Sequence, residues 1–484
     1  MSTSLPVVIV GAGPVGLAAA VHTLLRGFTP LILESGAAVG AAMRQWGHVR
    51  MFSPWAFNID TLSAERLSAH GWIAPDPTHF PTGSEVVAQY LEPLAALPEL
   101  ASRIHLNVEV VAVTKQRRDL MKNMQRDTTP YVVRFVQDGE EHEVLAQAVI
   151  DASGTTTRPN PLGAAGIPAL GERAAAHHVA YGLADMLGSE RARYNGRRVL
   201  VVGSGHSAFN VLSDLVRLRD ESGAGEIHWA VRRPSLARVL GGGENDQLVE
   251  RGRLGVRMAQ MVEQGLVQLH VGIHVDRIER TGDGLVAWSG DTALPAVDEI
   301  VGATGFRPDL TILDEVRLDL DAGTQSPSAL APLIDPNLHS CGSVRPHGAV
   351  ELQHPDRNFY IVGMKSYGRA PTFLLLTGYE QVRSVTAAIA GDWDAAQRIE
   401  LVLPETGVCS TQFGDEENAA DTATAGCCGG PAPAAANACC VADAEAKAEG
   451  AAGCGCCSSP TIAVAAPVVA VATAKASTCC SRAA

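Results

Sequence analysis

Residues 7–16 constrain this chain more than any other stretch. Val7-Val8-Ile9-Val10 is a continuous apolar run, the form taken by a strand buried on both faces of a parallel sheet. Gly11-Ala12-Gly13-Pro14-Val15-Gly16 follows at once, and Leu17 to Leu25 reads as an Ala- and Leu-rich helix stopped at Gly27. Gly11 permits the tight turn, Gly13 lets backbone approach a pyrophosphate, and Gly16 lets helix pack on strand. The helix N-terminus then aims unpaired N–H groups at the phosphates, with Pro14 and Val15 in the expected cradle. A second strand, Leu31 to Leu33, ends in Glu34, where a carboxylate accepts ribose hydroxyls. Strand, glycine turn, helix and acid in register predict a dinucleotide site.

The theme returns at Arg198-Val199-Leu200-Val201-Val202, followed by Gly203-Ser204-Gly205-His206-Ser207-Ala208 and a helix through Leu218. The next strand, Ile227 to Val231, ends not in an acid but in Arg232-Arg233. Two guanidinium groups there suit a 2′-phosphate, which an acid would repel, so the second nucleotide is expected to be NADPH. Two further strands end in small residues that leave room for a cofactor: Val149-Ile150-Asp151-Ala152-Ser153-Gly154 and Ile300-Val301-Gly302-Ala303-Thr304-Gly305. A last strand, Asn358 to Gly363, precedes Met364-Lys365-Ser366-Tyr367-Gly368-Arg369 and a helix from about Phe373 to Ala390.

Between these landmarks, Thr82-Gly83-Ser84-Glu85 is a capping box opening a helix through Ala96. Ile104 to Val113 reads as a strand, and Tyr131 to Ala148 as a hairpin turning at Asp138-Gly139. The irregular segment from Met43 to Trp55 carries Trp46, His48, Arg50 and Trp55, a density that suggests flavin or substrate contact as readily as loop packing.

At 484 residues the chain is too long for one core. Its net charge of −14 argues against a nucleic-acid platform, and no apolar run reaches the ~18 residues of a membrane span. A soluble, cytoplasmic protein is expected. Of eleven cysteines only Cys341 precedes residue 400. The expected fold is α/β: residues 1–160 and 311–400 form one dinucleotide-binding domain, 161–310 a second inserted in it, and 401–484 an Ala/Gly/Cys-rich tail expected to be disordered.

Two nucleotide fingerprints, one nested in the other, resemble the flavoprotein oxidoreductases with paired Rossmann-like domains. The resemblance implies FAD at the first fingerprint, NADPH at the second, and Gly363 beside the flavin. Where many members place an Asp after that glycine, Met364 stands here. The thiol-disulfide branch needs a cysteine pair near the isoalloxazine, and neither region that supplies it contains one. The flavin monooxygenase branch needs none. Its linker signature is matched in part: His177 and Tyr181 keep the spacing, while the Phe is absent and Gly171 stands too far upstream.

That resemblance implies hydride transfer from NADPH to FAD, then oxygen transfer to a small-molecule soft nucleophile. Candidates for shielding the flavin or holding charge are Trp46, Trp55, Tyr367, Arg50, Lys365 and Arg369. A homodimer is compatible with it.

The tail holds Cys427-Cys428, Cys439-Cys440, Cys454-Gly455-Cys456-Cys457 and Cys479-Cys480. Vicinal thiolates suit thiophilic ions, and their spacing is not that of a tetrahedral zinc site. The closing pair resembles that of mercuric reductases, and the chain resembles flavin monooxygenase-like proteins of arsenic-resistance gene clusters, which implies arsenic(III) or another thiophilic ion as the partner of the tail. Two other readings stay open: a flavin reductase passing electrons to tail thiols or bound metal, and a non-enzymatic soft-metal binder.

Overall fold

The computed structural model describes residues 4–235, 249–337, 344–370 and 373–401. Cys341 and every tail cysteine lie outside these residues. Sixteen strands are described: β1 Val7–Val10, β2 Pro30–Leu33, β3 Ile104–His105, β4 Val108–Lys115, β5 Tyr131–Gln137, β6 Glu140–Ala146, β7 Ala148–Asp151, β8 Val179–Tyr181, β9 Arg198–Val202, β10 Glu226–Ala230, β11 Gln268–His270, β12 Arg277–Thr281, β13 Gly284–Ser289, β14 Thr292–Ala293, β15 Glu299–Gly302 and β16 Phe359–Ile361.

They form two parallel five-stranded sheets, ordered β16-β7-β1-β2-β3 and β11-β10-β9-β15-β8. Two antiparallel three-stranded sheets, β4-β5-β6 and β12-β13-β14, accompany them. The second parallel sheet is contributed wholly by chain between β7 and β16, strands that pair within the first. In each parallel sheet the strand order reverses beside the fingerprint strand, at β1/β7 and at β9/β15. Crevices at such reversals are where open α/β sheets take ligands.

Burial follows composition. All four β1 residues are buried, as a strand covered on both faces requires. The helix Pro14–Leu25 is buried from Val15 through Thr23, because its Ala18-Ala19-Ala20 face lets the helix Leu375–Ile389 pack closely over it. The second fingerprint helix, His206–Ser222, runs one turn beyond the expected Leu218. Apolar periodicity stops at Leu218, but Arg219 to Ser222 are helix-compatible, and the chain first turns left-handed at Gly223 (φ 74°).

Other departures have local causes. The strand expected over 104–113 is divided by Asn107 (φ 56°) into β3 and β4, which join different sheets. The Thr82 capping box forms, with Thr82 N–H donating to Glu85 at 2.7 Å and Glu85 N–H to Thr82 at 3.2 Å. The helix it opens widens into a π turn over Val87–Leu91. Pro93 has no N–H to give the Gln89 carbonyl, which instead accepts the Trp72 indole N–H at 2.8 Å. Asp138 (φ 52°) and Gly139 (φ 82°) make the two-residue turn between β5 and β6.

The loop between β4 and β5 is anchored by a buried ion pair. Arg126 grips Asp356 with two bonds, at 2.6 and 2.7 Å, and also donates to the carbonyls of Asp119 (2.7 Å) and Glu315 (3.0 Å). Burial works to raise the Asp356 pKa, but the Arg126 bonds and the Arg317 N–H outweigh it and hold the carboxyl below its ordinary value. Among the described residues no helix is long and apolar enough to cross a membrane.

Breaking one partner of a buried pair leaves the other uncompensated, so Asp356→Ala should cost about 3–5 kcal/mol. A lower urea midpoint checks this. Because the folded pKa is depressed, the pair's stabilisation is present above the unfolded carboxyl value and lost as pH falls through the folded one. The gap between wild type and variant should therefore narrow below about pH 4. A variant as stable as wild type at pH 7 would remove the pair from the account.

Candidate functional site

At the first crevice Gly11 adopts φ 98°, and a Cβ there would meet the Ala152 carbonyl oxygen at 2.9 Å. A Cβ on Gly16 would lie 2.0 Å from the Gly11 oxygen. Both glycines are therefore required by protein backbone. Gly13 differs: its φ of −79° suits any residue, and a Cβ there would meet nothing within 4 Å. Among the described residues nothing fills the space before it.

Gly13 caps the helix Pro14–Leu25, which begins at Pro14 with no side chain bonded to its first turn. The N–H groups of Val15 and Gly16 remain available to an anion, whereas that of Leu17 is already given to the Gly13 carbonyl at 3.0 Å. Glu34 is buried and accepts the N–H groups of Ala12 (2.6 Å) and Gly36 (2.8 Å), so the acid is locked to the glycine turn. Gly154 (φ 73°), three residues beyond the end of β7, again faces open space. The pieces fit the adenosine and pyrophosphate of FAD.

The second crevice repeats this construction. Gly203 (φ 135°) would place a Cβ 2.2 Å from the Ala303 carbonyl oxygen, while Gly205, the cap of the helix His206–Ser222, faces open space. No side-chain bond caps that helix either. Ala208 stands fully buried at the third glycine position. The Trp229 indole donates to the Gly203 carbonyl at 2.7 Å and fixes the turn from the neighbouring strand. Ser204 and Ser207 lie in the turn and the first helical turn, and Arg232 and Arg233 follow β10 directly, with Arg232 exposed. Thr304 and Gly305 (φ 83°) occupy after β15 the place of Ser153 and Gly154 after β7.

The expected tryptophan and arginine loop is strapped to the capping-box segment. Trp46 packs over Gly83, where a Cβ would meet its ring at 2.9 Å, and Arg50 donates to the Phe80 carbonyl at 2.7 Å. Trp55 is 1% exposed and belongs to the first core, so its ring is packed rather than presented to an open site. Beyond Arg50 the loop reaches the second module: the Phe52 ring lies 5.4 Å from His206, in the first turn of the second fingerprint helix.

After β16 the segment Gly363–Tyr367 forms a short 3-10 turn beside the ends of β1 and β7. Its one cation is not free. Lys365 is buried, donating to Asp151 at 2.7 Å and to the Ser153 hydroxyl at 3.0 Å, which ties this turn to the small-residue turn after β7. Gln381 holds it from the other side, accepting the Gly363 N–H at 2.7 Å and donating to Ser366 and His347 at 2.9 Å. His347 can accept through Nε2 because its Nδ1–H donates to the Arg345 carbonyl, and burial keeps the ring neutral by lowering its pKa. Tyr367 is likewise buried, between His347 and Phe373. Arg369 is exposed and donates to Gln325 at 2.7 Å. Asp151, Gln381 and His347 escaped the sequence reading because no local pattern links residues up to 214 positions apart.

Residues 8–329 match the pyridine nucleotide-disulphide oxidoreductase family. The rice (Oryza sativa subsp. japonica) indole-3-pyruvate monooxygenase YUCCA1 is 28% identical over 212 residues, 43% of this chain and 45% of that protein. The chain thus aligns with less than half the length of that curated relative. Among solved structures, the bacillithiol disulfide reductase of Bacillus cereus superposes with a TM-score of 0.58 at 20% identity, over 80% of this chain and 99% of that one. The FAD-bound cadaverine monooxygenase of Erwinia amylovora gives 0.56 at 15% identity, over 83% and 99%. At these identities the structures establish the fold.

Gly13→Val should fold as wild type but retain FAD at least about tenfold less well, ~1.4 kcal/mol, because the new side chain enters only ligand space. Gly16→Val should fail to reach the native state, since its Cβ collides with backbone. Flavin content and thermal melting read both, and a Gly13→Val protein that keeps full flavin would contradict the cradle.

Proposed function

Because the chain belongs to the pyridine nucleotide-disulphide oxidoreductase family and is an FAD-dependent oxidoreductase, we propose that it is a monooxygenase-like enzyme that takes hydride from NADPH and delivers oxygen to a small, soft nucleophile. One observation carries the choice of branch: before residue 400 the sequence holds a single cysteine, Cys341, so the core cannot assemble a redox-active pair. The rice relative, a monooxygenase by name, supports the same branch.

Bound FAD would supply the hydride acceptor and the site of oxygen chemistry. The protein's part is to bind and orient. Glu34 would accept the adenosine ribose hydroxyls, and the N-terminal turn of the helix Pro14–Leu25 would hold the pyrophosphate. The Gly363–Tyr367 turn would form the wall beside the isoalloxazine, held rigid by Lys365–Asp151 and by Gln381. Since Asp151 already neutralises Lys365, an anionic substrate would be held by other groups, among them the exposed Arg369. Trp46 and Arg50 remain the proposed contacts from the loop. On the NADPH side, Gly203, Gly205 and the start of the helix His206–Ser222 would take the pyrophosphate. Arg232 and Arg233 would clamp the 2′-phosphate.

The cysteine pairs from Cys427 to Cys480 would capture arsenic(III) or another thiophilic ion, which supports a substrate drawn from arsenic or thiol metabolism. The same pairs favour a second reading, in which the reduced flavin passes electrons to tail thiols or the metal they bind. Stopped-flow spectra separate the two. In the first reading, a chain ending at residue 405 retains oxygen-dependent reoxidation; in the second, turnover disappears with the tail.

Arg232→Ala/Arg233→Ala should raise the KM for NADPH about tenfold or more while changing that for NADH by less than about threefold. Equal changes for both nucleotides would refute the clamp.

A further inference from the structure

Two linkers carry the chain between the parallel sheets, residues 152–160 from the end of β7 and residues 303–310 from the end of β15. They are stitched together. Asn160 N–H donates to the Gly305 carbonyl (2.9 Å), Thr304 Oγ1 to the Asn160 carbonyl (2.6 Å), and Arg307 N–H to the Arg158 carbonyl (3.0 Å). Beside this joint lies a cavity of about 310 Å³, walled by Pro159, Pro161, Pro168 and Tyr181 and lined by Arg173, Arg307 and Glu172.

Its charges do not cancel. Glu172 is the cavity's carboxylate, and it is already saturated by the N–H groups of Leu162 (3.0 Å), Gly163 (3.3 Å) and Ala169 (2.7 Å) and by the Tyr181 hydroxyl. Four donors spread its negative charge over the chain segment it folds. Arg307 gives one bond, from Nη2 to the Gly166 carbonyl at 3.2 Å, and its Nε is buried with no hydrogen-bond partner. A guanidinium N–H left unpaired away from water is costly unless a ligand satisfies it. Burial first, then the nearby charges of Arg369 and Arg158, hold the Arg307 pKa below the ordinary arginine value. Arg158 reaches Asp309 only at 3.8 Å, and Arg369 is engaged by a neutral amide. The proline walls have no N–H groups to offer, so recognition falls to the two lining guanidinium groups.

We propose that this cavity binds a small oxyanion, a carboxylate or phosphate-type group, held by Arg307 and Arg173 beside the joint between the two sheets. The planar fork of Arg307 suits two oxygens of one group, and Arg173 adds a second cation at the rim. Occupation would brace both linkers at once, since Arg307 belongs to one and Pro159 to the other. The cavity shares no lining residue with the two glycine cradles and does not depend on the oxygen chemistry proposed above.

The test is calorimetric titration of the FAD-loaded full chain with inorganic phosphate and, separately, with acetate at fixed ionic strength. Wild type should show a site that Arg307→Gln weakens by about tenfold or more and Arg173→Gln by about threefold, while Arg307→Lys, which keeps the charge and loses the fork, falls between wild type and Arg307→Gln. Binding of phosphate alone points to a phosphate-type ligand, binding of both probes to a carboxylate, and either supports the site. Flavin content and melting temperature establish that each variant is folded. Should Arg307→Gln fail to fold, Arg173→Gln and Arg307→Lys decide. Equal phosphate affinity in wild type and variants, as expected if all binding occurs at the nucleotide crevices, overturns the proposal, and so does the absence of binding.

Discussion

Everything in this molecule that handles a nucleotide depends on how closely a glycine turn can approach the strand end beside it. Gly11 lies against Ala152 and Gly203 against Ala303, each in a left-handed or extended positive-φ conformation. Any side chain at either place would drive the fingerprint turn off the adjacent strand. The contact also explains why the chain repeats itself: β1 with β7 and β9 with β15 are the same solution, used twice. In both, the helix that follows the glycines starts with no side-chain cap, so its first N–H groups await a partner from outside the chain.

A second constraint works at right angles to the first. The turn after β16 has to be brought to the ends of β1 and β7 across more than two hundred residues of intervening chain, and buried polar groups join apolar packing in fixing it there. Lys365 on Asp151 and Ser153, and Gln381 on Gly363, Ser366 and His347, are buried and mutually satisfied. Buried polar networks of this kind tolerate little displacement, because every lost bond strands a desolvated group. They are suited to a wall that must keep its shape beside a cofactor.

The sequence was most legible where function and local geometry coincide. The strand, the glycine turn and Glu34 could be placed to within a residue or two, and the first helix to within three, because a glycine turn between strand and helix is written into consecutive positions. The pairing of Ala152-Ser153-Gly154 with Ala303-Thr304-Gly305 was visible for the same reason. Side-chain roles were not. Lys365 read as a cation for a ligand and is an internal counter-ion; Trp55 and Tyr367 read as caps and are buried in the core. Each of those outcomes depends on partners supplied by distant strands, which no spacing rule encodes. The break at Asn107 and the π turn before Pro93 were missed for a smaller reason. Apolar periodicity reports which face is buried and says nothing of where a hydrogen-bond ladder changes register.

The central claim is that two glycine cradles bring a nicotinamide to a flavin without help from any thiol. The most direct measurement is the anaerobic, single-turnover rate of flavin reduction by NADPH in a variant with all eleven cysteines replaced by serine. The account predicts flavin reduction within about twofold of wild type, since no transition-state contact is removed. A flavin that binds normally in that variant but is no longer reduced would contradict it.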